Sequence, residues 1–243
     1  MVDTGSVLYD EDLSFIHHHG YAGFIHRAAP ALLSLLAKVV PPGGTVVDLG
    51  CGSGIWLNML AGRGYRAIGV DQSPAMLRLA RANAPAAELR RGSAFAVPLP
   101  PCHAVTALGE PLAYLPPGRA PALSALFKRV AAALHPGGLL VFDLLVTSPR
   151  LLRYRTWTAG EDWACMLSVS EEARGRLTRE ITTFRRRGPH AYRRHQERHT
   201  LRVVPRASVV SDLRAAGFRV RVSARYGDSA LAPRRLAFFA RKP

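Results

Sequence analysis

The feature that most restricts the fold of this chain is a short apolar segment that runs directly into a glycine-rich turn. Thr45–Leu49 is mostly apolar with one acid, Asp48, and residues 50–54 read Gly-Cys-Gly-Ser-Gly. A helix-like segment follows, and a second apolar run ends at Asp71, 17 residues after Gly54. A strand that feeds a glycine turn and a helix forms a nucleotide site at the carboxyl edge of a parallel sheet. Glycines let the backbone approach the ligand, and an acid after the second strand accepts hydrogen bonds from ribose hydroxyls.

Further along the chain, short apolar runs alternate with helix-like segments. The expected strands are 45–49, 67–70, a weaker one near Leu89, 104–108 and 139–145, and the expected helices are 56–62, 74–84 and 120–134, with a turn at 135–138. Largely apolar strands that alternate with helices indicate a parallel sheet covered on both faces. The sequence therefore predicts an α/β fold.

Both ends of the chain depart from this alternation. Two helix-like segments open it, the first capped by Asp10 or Asp12 and the second at about residues 21–38, where Pro30 is expected to kink or split the helix. After residue 160 the period changes, and the segments 163–169, 177–186 and 192–204 are expected to form an antiparallel insertion. A helix at 207–216 and strands at 218–223 and 236–241 then close the chain.

These patterns predict three parts. Residues 1–40 form N-terminal helices, residues 41–150 and 206–243 form the core, and residues 151–205 form the antiparallel insert. Ligands of open α/β sheets lie outside the carboxyl ends of the strands, where a segment inserted after the fifth strand leaves the sheet. We therefore expect the insert, about residues 152–205, to act as a substrate lid.

Charge is distributed unevenly along the chain. The formal net charge is +16, and residues 147–243 hold 22 Lys and Arg against 8 Asp and Glu, whereas residues 1–146 hold 11 against 9. Such asymmetry is typical of proteins with an anionic ligand or a nucleic-acid partner. However, 30 of the 33 basic residues are arginine, as a GC-rich genome imposes on ordinary surface positions. Both interpretations stay open.

Composition excludes several classes of protein. No run approaches the ~18 consecutive apolar residues of a membrane helix, and the first residues lack the basic and apolar regions of a secretory signal. Cys51, Cys102 and Cys165 are far apart and odd in number, so they predict neither a disulfide framework nor a zinc site. We expect a protein of the reducing cytoplasm, a monomer or a homodimer.

The glycine spacing distinguishes two cofactor classes. Dinucleotide folds use G-x-G-x-x-G, with the pyrophosphate at the helix N-terminus, whereas the spacing here is G-x-G-x-G. The run Val-Asp-Leu-Gly-Cys-Gly-Ser-Gly at residues 47–54 resembles motif I of the class I S-adenosylmethionine-dependent methyltransferases. The resemblance implies S-adenosyl-L-methionine as the cofactor, and it implies that the following residues line its site: Asp48, Gly50, Cys51, Gly52 and Gly54.

Later segments extend this resemblance. Asp71 matches the acid that holds the ribose, with Gln72 and Met76 beside the adenine. The segment at residues 91–95 is similar to the adenine-edge motif and adds Ser93, Ala94 and Phe95; the family usually has Asp where this chain has Ser93. Leu108 and Gly109 begin the loop that follows the fourth strand and complete the implied cofactor contacts.

The resemblance also implies a fold and a function. It implies a seven-stranded Rossmann-like methyltransferase sheet in the order 3-2-1-4-5-7-6, with the last strand antiparallel, helices on both faces and an antiparallel β insertion after the fifth strand. The N-terminal helices and the insert resemble small-molecule enzymes such as the sugar N-methyltransferases of natural-product pathways. We expect O-, N- or S-methylation of a small molecule in secondary metabolism. An RNA methyltransferase using the basic C-terminal half and a non-catalytic cofactor-binding module are the alternatives.

Methyl transfer requires a positioned nucleophile, and a base is needed where that nucleophile must lose a proton. Glu197 and His199 are two residues apart in an expected strand and so face the same side. Glu110 follows the fourth strand, where the methyl donor should project. These three are the catalytic candidates, although Glu197 and His199 also fit a solvated face of a sheet.

The candidate substrate contacts come from the N-terminal segment, the loop after the fourth strand and the insert: Tyr9, His18, Tyr114, Trp157, Tyr192 and Arg194. Tyr9 is expected to cover the cofactor, as the N-terminal segment does in similar enzymes. Trp157 fits either a wall of the substrate site or core packing. No metal site is expected, because consecutive histidines at 17–19 diverge by ~100° each on a helix and cannot share one ion.

Overall fold

The computed structural model describes residues 8–116 and 120–243, which form six α-helices and thirteen strands. The helices are α1 (Glu11–Tyr21), α2 (Gly23–Leu36), α3 (Ile55–Ala61), α4 (Pro74–Asn83), α5 (Leu123–Ala133) and α6 (Arg206–Ala215). The strands are β1 (Thr45–Leu49), β2 (Arg66–Asp71), β3 (Glu88–Arg91), β4 (Cys102–Ala107), β5 (Leu134–Leu145), β6 (Arg153–Ala159), β7 (Trp163–Glu172), β8 (Arg176–Arg186), β9 (Tyr192–Arg202), β10 (Arg219–Ser223), β11 (Arg225–Tyr226), β12 (Ser229–Ala230) and β13 (Arg235–Arg241). Every helix in these ranges is too short or too polar to cross a membrane.

Seven strands form the central sheet, in the order β3-β2-β1-β4-β5-β13-β10. The first five strands run parallel, and β13 is antiparallel to both β5 and β10. This is the predicted methyltransferase order, with the last strand reversed, so the expected fold class is confirmed. Because β1, β2 and β4 are buried on both faces, their apolar runs were readable in the sequence.

Helices cover the sheet on both faces. On one face, α5 and α6 pack over a core in which Phe142 lies between Phe127 and Phe238, with ring centroids 5.3 and 5.0 Å away. On the other face, α2, α3 and α4 pack over a second core that includes Trp56 and Phe239. The sheet is therefore held from both sides, and its carboxyl edge is left for a site.

Some local expectations were wrong. The insert has four antiparallel strands, β6-β7-β8-β9, and not three; β6 is an edge strand that is almost wholly exposed, so it carries no apolar alternation. Helix α2 runs unbroken through Pro30. The expected turn at 135–138 lies within β5, where the register against β4 shifts.

Helix α1 packs on the insert and brings the N-terminal segment over the sheet edge. Leu13 and Ile16 are buried against Trp163 and Ile181 of β7 and β8. Asp12, whose side chain is 2% exposed, accepts hydrogen bonds of 2.5 and 2.6 Å from Arg193 of β9. Arg187 and Arg185 lie 3.5 and 3.7 Å from the same carboxylate, so one buried acid joins α1 to two strands of the insert.

We predict that Asp12→Ala destabilises the protein by about 1–3 kcal/mol in urea unfolding. Removing one partner of a buried ion pair leaves the other charge unpaired, and the cost is reduced here because the arginines are 25–44% exposed. The matched control is Glu11→Ala, which removes exposed ion pairs to Arg78 at 3.0 Å and to Arg193 at 3.8 Å and should change stability by no more than about 0.5 kcal/mol. Equal effects of the two substitutions would contradict this role of Asp12.

Candidate active site

A cavity of about 450 Å³ lies at the carboxyl edge of the sheet, beneath α1 and the inner face of the insert. Three parts of the chain line it. The sheet edge contributes residues that include Asp48, Gly50, Cys51, Gly52, Ser53, Asp71, Gln72, Ser73, Met76, Gly92, Ala94, Leu108, Gly109, Glu110, Pro111, Tyr114 and Arg235. The N-terminal segment contributes Leu8, Tyr9, Leu13, His17, Tyr21, Ala22, Phe24 and Ile25, and the insert contributes Tyr154, Cys165, Leu167, Arg179, Ile181 and His199.

The glycine turn after β1 is folded back onto β2. The amides of Gly50 and Cys51 both donate to the carbonyl of Val70, at 2.7 and 3.0 Å. Gly50 has a φ of +75°, and a Cβ there would stand 2.2 Å from Pro111, so no other residue fits this position. Gly54 serves packing instead, because a Cβ there would lie 2.9 Å from Cα of Ala80 in α4.

Asp71, at the end of β2, is held by two backbone amides. Its Oδ2 accepts from the amide of Gly52 and its Oδ1 from that of Ser73, both at 2.9 Å. Burial raises the pKa of Asp71, and the amide hydrogen bonds from Ser73 and Gly52 oppose the rise. The carboxylate thus joins the glycine turn to the start of α4 and borders the cavity.

Asp48 lies beneath the turn in a buried polar chain. Its Oδ1 accepts from Oγ1 of Thr106 at 2.6 Å, and that hydroxyl accepts from Nε1 of Trp56 at 3.1 Å. Burial raises the pKa of Asp48 to about 7; the Thr106 hydrogen bond opposes the rise, and the Asp71 carboxylate adds to it.

This half of the cavity fits the cofactor expected from the motifs. It offers a fixed carboxylate for a ribose, the side chains of Met76 and Ala94 beside it, and a turn without side chains at Gly50 and Gly52. A Cβ on Gly109, where φ is +84°, would meet no protein atom within 4 Å. A carboxylate acceptor for ribose hydroxyls, together with backbone that carries no side chains, is what a nucleoside joined to an amino acid requires.

The loop after β4 carries a buried carboxylate between two arginines. Oε2 of Glu110 accepts from Nη2 of Arg179 at 2.8 Å and from Nη2 of Arg235 at 2.6 Å. Burial opposes ionisation of Glu110, but Arg235 and Arg179 outweigh it and hold its pKa below the usual range. Glu110 adopts a φ of +67°. The preceding amide, of Gly109, donates to Oδ1 of Asp143 at 2.8 Å, so a buried acid of β5 fixes the loop.

The insert contributes an imidazole with one free nitrogen. His199 is fully buried, and its Nε2 lies 2.7 Å from Oε2 of Glu197. Because an ionised carboxylate only accepts hydrogen bonds, Nε2 carries the proton and Nδ1 carries the lone pair. Nδ1 has no hydrogen-bond partner among the residues that the structure describes. Tyr9 and Tyr114 flank the ring, with centroids 5.1 and 5.5 Å away.

Some of the sequence-derived site residues lie away from the cavity. Glu197 lies behind His199. Ser93 and Phe95 are outside the cavity lining, where the amide of Phe95 donates to Oγ of Ser93, and only Ala94 between them borders the cavity. His18 bonds to Oγ of Ser53. Trp157, Tyr192 and Arg194 are exposed side chains of the insert, and Trp157 is 74% exposed.

Other residues reach the cavity without a local signal. Arg179 and Arg235 come from strands 56 positions apart in sequence, and only the fold brings both to Glu110. His17 borders the cavity where His18 was expected; burial lowers the pKa of His17 to about 4, with a further contribution from His18. The helical phase of α1, which decides between these histidines, could not be read from three consecutive identical residues.

We predict that Asp71→Ala weakens binding of S-adenosylhomocysteine by at least about 2 kcal/mol, because a charged hydrogen-bond acceptor is lost. Isothermal titration calorimetry should show a 1:1 complex for the wild type. Asp71→Asn retains one acceptor oxygen, so its affinity for S-adenosylhomocysteine should lie between those of the wild type and Asp71→Ala. Tight binding of NAD without any response to S-adenosylhomocysteine would contradict this assignment.

We predict a pH-dependent effect of Asp48→Asn on stability. A carboxyl whose pKa is near 7 when folded and about 3.9 when unfolded stabilises the fold at low pH and loses that contribution as the pH rises. Asn does not titrate, so the free energy of unfolding of the variant, relative to wild type, should rise by about 2–3 kcal/mol between pH 5 and pH 8. Urea unfolding at both pH values measures this, and a constant offset would refute it.

Comparisons with known proteins agree with this site. Residues 46–138 match a family profile described as a methyltransferase domain. No curated protein matches the chain by sequence.

Solved structures match the fold over nearly the whole chain. An S-adenosylmethionine-dependent methyltransferase from Clostridium acetobutylicum is 17% identical with a TM-score of 0.79, covering 94% of this chain and 96% of that one. The sugar N-methyltransferase KedS8 from Streptoalloteichus is 22% identical with a TM-score of 0.75, over 100% and 98%. The amino pentose methyltransferase CalS10 from Micromonospora echinaspora, solved with S-adenosylmethionine bound, is 23% identical with a TM-score of 0.74, over 98% and 99%.

The glycine turn and the held carboxylate thus lie in the segment, residues 46–138, that matches a methyltransferase domain. Over the whole chain, the fold is that of solved S-adenosylmethionine-dependent methyltransferases.

Proposed function

We propose that the protein methylates a small molecule that binds between the sheet edge and the insert, and that His199 is the base that removes a proton from the methylated atom. One observation carries this proposal. His199 borders the same cavity as Asp71 and the glycine turn. Within residues 8–116 and 120–243 its Nδ1 has no hydrogen-bond partner, and Glu197 bonds to the other ring nitrogen.

The chemistry divides between the cofactor and the chain. When bound, S-adenosylmethionine supplies an electrophilic methyl group. Asp71 and the glycine turn fix one reactant, and the walls of the cavity hold the other, which is how an enzyme accelerates a displacement between two bound molecules. Nδ1 of His199 takes the proton that the acceptor N–H or O–H loses, and the Glu197 carboxylate stabilises the imidazolium that forms.

The walls on the acceptor side favour a polar ring-containing molecule. Aromatic and imidazole rings of Tyr9, His17, Tyr21 and Tyr154 border the cavity. Arg179 makes one hydrogen bond, to Glu110, among the described residues, so its other N–H groups can serve acceptor oxygens. Two of the similar structures are an amino pentose methyltransferase and a sugar N-methyltransferase, which supports an amine or a hydroxyl as the acceptor group, as in secondary metabolism.

The insert, about residues 152–205, acts in this proposal as the substrate lid. Its inner face supplies Arg179, Ile181 and His199 to the cavity, and α1 closes the adjacent side. A site enclosed from two directions suits a free small molecule better than a base or ribose within a folded RNA. Buried free thiols at all three cysteines support a reducing, cytoplasmic setting.

The test of the substrate class is transfer of a labelled methyl group from S-adenosylmethionine to a panel of amines, alcohols and thiols, with total RNA in parallel. We expect label on small amines or alcohols. Label in RNA, with affinity that falls steeply with salt as phosphate contacts require, would instead establish the RNA methyltransferase.

We predict that His199→Gln and Glu197→Gln lower turnover on the acceptor found in that panel by about 10²–10⁴-fold, the usual contribution of a general base. Calorimetry should show S-adenosylhomocysteine affinity within about twofold of wild type, because the cofactor contacts lie elsewhere. The control is Gln196→Ala, which should keep wild-type turnover. Gln196 is an exposed neighbour of Glu197 in β9, and its side chain bonds to Thr182 of β8 and not to His199. Wild-type turnover in both His199 and Glu197 variants would refute the catalytic role.

A further inference from the structure

The carboxylate behind His199 is held by a segment from the other end of the chain. The amide of Tyr9 donates to Oε2 of Glu197 at 2.7 Å, and the amide of Asp10 donates to Oε1 at 2.9 Å. Oε2 is also the atom that bonds to His199. Glu197 is 5% exposed, so its orientation depends on these two amides and on the imidazole, and not on water.

The same segment is tied to the ribose side of the cavity through the carbonyl of Tyr9. That oxygen accepts from Oγ of Ser73 at 2.6 Å and from Oγ of Ser14 at 2.7 Å. Ser73 caps α4 and donates its amide to Asp71. A continuous series of hydrogen bonds therefore joins the cofactor carboxylate to the imidazole, in the order Asp71, Ser73, Tyr9, Glu197 and His199.

The backbone at Tyr9 shows that these bonds determine its conformation. Its φ is +57°, in the left-handed region that residues other than glycine rarely adopt. Such conformations persist only where the surroundings fix them, and they concentrate at functional sites. The hydroxyl of Tyr9 adds a further contact, 2.6 Å from the hydroxyl of Tyr114.

We infer that the Tyr9–Asp10 strap, fixed by Ser14 and Ser73, is the positioning element that sets the orientation of the His199 imidazole. The strap holds both oxygens of Glu197, and Glu197 in turn holds Nε2–H of His199, so the imidazole is fixed in the single tautomer that leaves the lone pair on Nδ1. Residues that act through a hydrogen-bonded partner in this way tune the group that does the chemistry. The inference rests on the proposed role of His199 as the base, and it couples that base to the turn that holds the cofactor.

The strap is tested without knowledge of the acceptor by observing the imidazole proton directly. Nitrogen-15 NMR of the S-adenosylhomocysteine complex should show one protonated Nε2 at His199, identified by its loss in His199→Gln. Ser14→Ala and Ser73→Ala each leave the Tyr9 carbonyl one hydroxyl and should accelerate exchange of that proton only modestly. The double variant should accelerate it by about tenfold or more, because the carboxylate is then free to reorient.

One control variant and two further measurements keep the result specific. Ser168→Ala removes a hydroxyl from the opposite face of the insert and should leave the exchange rate unchanged. Ser14 lies within α1, where alanine is a better helix former, so Ser14→Ala tests the strap even if the double variant fails to fold. Thermal unfolding reports whether each variant is folded. The affinity of Ser14→Ala for S-adenosylhomocysteine, expected within about threefold of wild type, reports whether the cofactor site is intact.

The outcomes separate the two proposals. Wild-type exchange at Nε2 in both the double variant and Ser14→Ala would overturn the strap, whatever His199 does in catalysis. Faster exchange in the strap variants, together with full turnover of His199→Gln, would retain the strap as the structural support of His199 but refute the base. Once an acceptor is known, the strap variants should lower kcat by about tenfold or more while KM changes little.

Discussion

The carboxylate of Asp71 is the interaction on which the arrangement of the site depends. It receives the amide of Gly52 from the turn after β1 and the amide of Ser73 from the start of α4. Each amide comes from a different loop, so one side chain sets the spacing of two loops that border the cavity. Through Ser73 the same support extends to Tyr9 and, across the cavity, to Glu197 of the insert. The sheet edge, the N-terminal segment and the insert thus form one polar unit.

Several arginines of the C-terminal half pair with buried acids. Glu110 is held by Arg179 and Arg235, Asp12 by Arg193 and its neighbours, and Glu171 by both terminal nitrogens of Arg234 at 2.7 and 2.8 Å. These three acids are at most 2% exposed in their side chains. An isolated buried carboxylate would be costly, and the guanidinium fork satisfies it with directional bonds. These arginines therefore have a structural role in joining the insert to α1 and to the sheet.

The parts of the fold that could be predicted from sequence are those fixed locally. Local patterns, each spanning about 25 residues or fewer, predict the strands β1, β2 and β4, the glycine turn and Asp71. The structure places all of them as expected. The pair Glu197 and His199 also follows from a local rule, since alternate residues of a strand share a face. The long-range contacts could not be predicted in this way. Nothing near Arg179 or Arg235 in the sequence indicates Glu110, and nothing near Tyr9 indicates Glu197.

The measurement that tests the central claim most directly is a crystal structure of the protein with S-adenosylhomocysteine bound. We expect the ribose on Asp71 and the sulfur directed into the space between Glu110 and Nδ1 of His199, with the strap in place over it. That arrangement leaves room for an acceptor within reach of both the methyl position and the base. A cofactor bound elsewhere, or a sulfur separated from His199 by the packed side chains of α1, would contradict the claim that methyl transfer occurs in this cavity.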